Sequence, residues 1–140
     1  MDYRRFGQTI ALRVQRGEDI LEAIKTMAIK EDIRLGSVTG IGACDYVRLG
    51  FFQLKTQEYT ETLFEEDLEL TSIVGNITCK DGAYYGHFHG NFAKADSSVI
   101  GGHLVEARVS VTGEIMIQVI DGQVERQMDS ETGVNLFKFY

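Results

Sequence analysis

The sequence predicts an α/β protein of the α+β type, a single domain over residues 1–140 in which a mostly antiparallel β-sheet packs against one main helix. Apolar and other residues alternate along most of the chain, the pattern of strands with one buried face. Convincing helical spacing occurs only once. Two Asp-Gly pairs between alternating runs are tight-turn signals, so most strand neighbours should be antiparallel. A chain of 140 residues also has the size of one domain and can bury a core without disulfide staples.

From Thr9 to Val14 the apolar side chains Ile10, Leu12 and Val14 fall on one side, which predicts a half-buried strand that Gly17 breaks. Glu18 and Asp19 place acid at the start of a helix, and Ile20, Ile24, Met27 and Ala28 repeat at helical spacing through about Glu31. That apolar stripe should cover one face of the sheet. From Ile33 onward only strands are expected. Val38 to Ala43 contains Gly40 and Gly42, which indicate a bulge or close backbone approach; no lysine or helix follows as a phosphate loop requires. Val47, Leu49 and Phe51 alternate in the next strand, with Tyr59 to Phe64 as its partner. Leu68 to Cys79, Ala83 to Phe92, Val99 to Val111 and Ile115 to Ile120 follow, and a last segment ends at Phe139. Asp81-Gly82 and Asp121-Gly122 are the two hairpin signals.

Composition excludes several classes of function. No apolar run approaches the ~20 residues needed to cross a bilayer, and Met1 to Gly7 is followed by alternation rather than by the apolar core of a secretory signal. Residence in the cytoplasm is the resulting expectation. Cys44 and Cys79 are isolated, which reads as two buried thiols rather than a disulfide or thiolate metal site. A formal net charge of −7 disfavours sequence-independent DNA binding. Arg4, Arg5, Arg13 and Arg16 form a local basic group that a solvated face explains equally well. Ser97 and Ser98 lack the strained turn of a nucleophilic serine. Glu65, Glu66 and Asp67 read as a solvated hairpin end.

All three histidines lie between positions 87 and 103. His87 and His89 are two apart on one strand, so both side chains leave the same face. If Asp81-Gly82 is a two-residue loop, Lys80 pairs with Ala83, Asn76 with His87 and Val74 with His89. The histidine face then carries Thr78, Asn76, Val74, Ser72, Tyr85 and Asn91, a largely polar surface suited to a ligand pocket or subunit interface. The opposite face carries Ile73, Ile77, Phe88 and Phe92 and is core. His103 follows Gly101-Gly102 and, on a regular strand, shares a face with Val105, Ala107 and Val109. Three neutral imidazoles suit zinc, copper, iron or nickel and leave a tetrahedral zinc one open position. Glu106 and Asp96 are candidates for that position, and hydrogen-bonded structural histidines are the competing explanation. A cupin-type site fails on its own ligand, because Ala93 and Lys94 stand where its glutamate should follow.

The run from Leu68 to Ile77, then Gly86-His87-Phe88-His89, Gly101-Gly102-His103-Leu104 and the upstream Ser37 to Ala43, resembles the PPC (plants and prokaryotes conserved) domain over essentially the whole chain. The resemblance implies a largely antiparallel sheet with a packed helix, assembling as a homotrimer. Prokaryotic members are described as DNA-binding by inference from plant relatives, which join the domain to an AT-hook; here the hook is missing. Stand-alone members resemble metal proteins whose motif histidines bind zinc, which assigns His87, His89 and His103. Glu69 matches the acidic position of the plant R-F-E-I-L motif, whereas Asp67 and Leu68 depart from its arginine and phenylalanine. With Asn76 and Glu106, Glu69 is a candidate for supporting the imidazoles.

The expected function is a homotrimeric, zinc-binding domain whose three-histidine site is a structural clip or borders a small-molecule pocket. The alternative is DNA association or regulation through oligomerisation. A zinc-dependent enzyme with Glu106 as base is the minority reading, for which no recognisable catalytic set exists.

Overall fold

The structure is a computed structural model that describes residues 1–140. Nine strands and one helix follow in the order β1 (Asp2–Phe6), β2 (Thr9–Val14), α1 (Ile20–Lys30), β3 (Gly36–Gln53), β4 (Glu58–Phe64), β5 (Leu68–Lys80), β6 (Ala83–Ala93), β7 (Val99–Val119), β8 (Glu125–Met128) and β9 (Asn135–Lys138). All nine strands belong to one sheet, antiparallel except where β8 meets β5 at Cys79 and Glu125. β3 pairs with β5 and β7, and β6 also pairs with β5 and β7, so these four strands close a ring of pairings. Such closure removes free edges from the middle of the fold. No helix is long and apolar enough to cross a membrane.

The alternations fall as the sequence predicts. Ile10, Leu12 and Val14 all point inward and are fully or almost fully buried. The helix starts one residue after Asp19, whose carboxylate accepts from the Glu22 amide at 2.9 Å, and it buries Ile20, Ala23, Ile24, Met27 and Ala28. Burying each large member of that stripe contributes about 1.5–3 kcal/mol. The β5–β6 hairpin has the expected register, Lys80 with Ala83, Asn76 with His87 and Val74 with His89. Asp81 and Gly82 both have positive φ, 53° and 77°, the type I′ geometry that an Asp-Gly loop favours. Ile73, Ile77, Phe88 and Phe92 are buried on the opposite face.

Several expectations are corrected. Asp2–Phe6, which carries no clear alternation, is a strand because it pairs along the whole edge of β2. The two breaks expected near positions 44–46 and 112–114 are bulges within single long strands, β3 and β7, rather than loops. Gly42 marks one of them: a Cβ there would collide with the Thr112 carbonyl oxygen and press on Gly113. Asp121-Gly122 does not close a hairpin. The chain after Val119 instead crosses to β5, and the antiparallel hairpin is β8 with β9.

Candidate metal centre

β6 supplies two of the imidazoles and β7 the third. His89 is the cross-strand partner of His103, while His87 lies one row back and opposite Asn76 of β5. The expectation that His103 shares a face with Ala107 and Val109 is overturned. Between Leu104, paired with Leu49, and Glu106, paired with Arg48, the register slips by one residue. This bulge lets both Leu104 and Ala107 face the core, at 2% and 0% exposure, and leaves His103 on the outer face with His87 and His89.

The three rings therefore converge. Their centroids are 5.2 Å apart for His87 and His89, 5.2 Å for His87 and His103 and 5.6 Å for His89 and His103, with no pair stacked face to face. One nitrogen of each lies within 4.8 Å of the others. A tetrahedral zinc with bonds of about 2.0–2.1 Å holds its ligand nitrogens roughly 3.3 Å apart, so modest ring rotations bring this set to coordinating distance. Burial, reinforced by His103, Arg126 and His89, holds the His87 pKa down at about 4. Burial and His89 likewise lower that of His103. Both rings are thus kept in the neutral form that a metal requires.

The surroundings draw on β3, β4, β5, β8 and β9 as well as on β6 and β7 themselves. Tyr59 of β4 sets its ring edge-on to His103 at 6.3 Å. It lies over Gly50, the cross-strand partner of His103, where a Cβ would strike the tyrosine hydroxyl. Arg48 links to Glu61 and Glu106, each at 3.5 Å, and donates to the Tyr46 hydroxyl at 3.0 Å, while its Nε is buried without a partner. On the other flank Arg126 of β8 donates from Nη2 to Asn76 Oδ1 at 2.8 Å and from Nε to Thr78 Oγ1 at 2.8 Å. Its guanidinium also packs on the rings of Tyr85 and Phe137, at 4.7 and 4.6 Å.

Of the supporting candidates, Asn76 stands beside the His87 row but is engaged by Arg126, and Glu106 is tied to Arg48. Glu69 pairs with Ala93, beyond the Asn91 row, and is exposed away from the rings. Asp96 accepts from the Ser98 amide and hydroxyl at 2.9 and 2.6 Å within its own turn. One concavity of the molecule is lined in part by Leu12, Ile41, Val74 and Met116, and of these Val74 is the cross-strand partner of His89. Arg126 and Tyr59 carry no local signal in the sequence: each reaches the histidines only because β8 crosses to β5 and β4 folds back on β3.

Residues 1–121 match the profile of the Plants and Prokaryotes Conserved (PCC) domain. Among solved structures, the chain is similar to a candidate DNA-binding protein of Bacteroides thetaiotaomicron, with 28% identity and a TM-score of 0.97 over 99% of this chain and 96% of that one. A metal-containing protein of Archaeoglobus fulgidus matches with 28% identity and a TM-score of 0.89, over 99% of both chains. A plant- and prokaryote-conserved protein of Pyrococcus horikoshii matches with 30% identity and a TM-score of 0.85, over 99% of this chain and 94% of that one. No curated protein matches the sequence.

Proposed function

Because the chain belongs to the Plants and Prokaryotes Conserved domain family, we propose that it is a self-associating, homotrimeric metal-binding domain that holds zinc on His87, His89 and His103. The observation that carries this reading is the convergence of three outward imidazoles from two strands, with donor nitrogens within 4.8 Å of one another. A hydrogen-bonded structural role fits less well, since the rings approach one another rather than backbone or carboxylate partners. The similarity to a metal-containing protein supports the same reading. Zinc bound there would act as a Lewis acid with one position left for a further ligand. The chain's own residues fix the three rings on paired strands, keep His87 and His103 neutral, and wall the patch with Tyr59 on one side and Arg126 on the other. Cys44 and Cys79, both buried and unbridged, suit a reducing compartment such as the cytoplasm.

Elemental analysis of purified protein tests the site. About one zinc per chain is expected, with His87→Ala and His103→Ala each losing most of it while keeping the fold by circular dichroism. Stoichiometric metal that survives both substitutions refutes the assignment. Sedimentation of the same preparation should give the mass of three chains.

A second reading, DNA association through the oligomer, is favoured by the similarity to the Bacteroides protein. The acidic balance of this chain opposes it.

A further inference from the structure

Arg126 is a buried cation without an anion. It is 7% exposed, and its three hydrogen-bond acceptors, Thr78 Oγ1, Asn76 Oδ1 and the Asn135 carbonyl oxygen, are all uncharged. Removing a guanidinium from water is costly unless an opposite charge or a full set of acceptors replaces the solvent. The Tyr85 and Phe137 rings return part of that cost as cation–π contacts, and desolvation still lowers the Arg126 pKa. A buried cation with no opposite charge beside it needs an explanation.

Position supplies one. Arg126 grips Asn76, and Asn76 is the cross-strand partner of His87, so the cation abuts the imidazole patch. Three neutral imidazoles around a dication add no negative charge. The carboxylates nearest the other flank, Glu61 and Glu106, are engaged with Arg48. A loaded site would thus gather positive charge locally in a chain whose net charge is −7. The missing component is an anion.

We propose that Arg126 and the three-histidine face together bind a small carboxylate, gripped by the guanidinium at one end and facing the metal's open position at the other. This rests on the metal-binding reading above. The donor count favours a carboxylate: a guanidinium has five N–H groups, three are used within the fold, and the remaining pair matches a two-oxygen acceptor in the bidentate manner. A small ligand is indicated because the patch is bounded by Tyr59 beside His103 and by Tyr85 beside Arg126.

The test uses full-length protein loaded with cobalt(II), whose visible bands report on the open position, titrated with sodium pyruvate, acetate, acetamide and inorganic phosphate. Metal content is measured in parallel. Saturable band shifts with pyruvate and acetate, but not with the neutral acetamide, are expected in the wild type. Arg126→Gln and Arg126→Lys should each weaken carboxylate binding by about tenfold or more without lowering cobalt content. Arg126→Lys keeps the charge without the fork, and is the variant to rely on if the glutamine form fails to fold. Full cobalt loading with no carboxylate response, or with a response unchanged in both variants, overturns the carboxylate site and leaves the metal site standing. Failure to take up cobalt overturns both. Phosphate binding as tightly as pyruvate overturns the choice of carboxylate.

Discussion

His87 is the residue at which burial acts on chemistry most directly. Desolvation, followed by the influence of His103, Arg126 and His89, holds its pKa at about 4 against an ordinary 6.5. In the unfolded chain the same ring takes up a proton near 6.5. Between those values the unfolded state binds more protons than the native one, so stability falls as pH is lowered through that window and is independent of this group below it. Because the ring is only partly buried, solvent screening reduces the effect to about 1 kcal/mol. Urea denaturation of metal-free protein at stepped pH should show this slope, and His87→Ala should flatten it. An unchanged slope in the variant would locate the titration elsewhere. The Cys44 thiol responds to burial in the opposite direction, as a neutral acid should: its pKa is pushed up to about 12, which makes it packing rather than a nucleophile.

At the scale of elements, Asp19 shows how one side chain fastens helix to sheet. One carboxylate oxygen caps α1 through the Glu22 amide at 2.9 Å, and the other accepts from the Ala107 amide of β7 at 2.7 Å. Asp19→Ala removes a cap and leaves a partly buried amide unpaired, so it should destabilise by about 2–3 kcal/mol, with Asp19→Asn milder because an acceptor remains. A loss under about 0.5 kcal/mol in urea titration would mean that water replaces both bonds. The acidic start of this helix was legible in the sequence, whereas the bond to β7 was not, because its partner lies far along the chain. The same division holds around the histidines. The Asp81-Gly82 turn fixed the β5–β6 register, and with it the shared face of His87 and His89, because turn chemistry is local. The facing of His103 depended on the bulge at Val105, a single-residue insertion that leaves no mark in an alternating run. A regular strand would have turned that ring toward Ala107 and the core. Arg126 was invisible for a different reason: β8 meets β5 by one parallel bridge, and no local pattern encodes so distant a partner.

For the molecule as a whole, charge decides between the partners that the family and its neighbours suggest. The net charge is −7, and the basic group near the start is partly neutralised within the fold. Arg5 pairs with Glu31 at 3.1 Å and Arg13 with Asp2 at 2.9 Å, so fewer cations remain to replace counterions on a phosphate backbone. Meanwhile Phe51, Leu54 and Leu63 on the β3–β4 arm and Phe137 and Phe139 near the C-terminus are 46–76% exposed, surface better suited to protein contact than to DNA. Duplex DNA followed by fluorescence anisotropy should accordingly show no binding at low micromolar protein in about 0.15 M salt, and only weak association near 0.02 M. The salt dependence carries the discrimination. Each phosphate contact steepens the slope of log K against log salt by about 0.9, so a real interface would give a slope of several units. Binding below about 1 μM at 0.15 M salt, with a slope steeper than about −4, would demand several lysine or arginine contacts to phosphate and would show that the oligomer assembles a basic surface absent from the single chain.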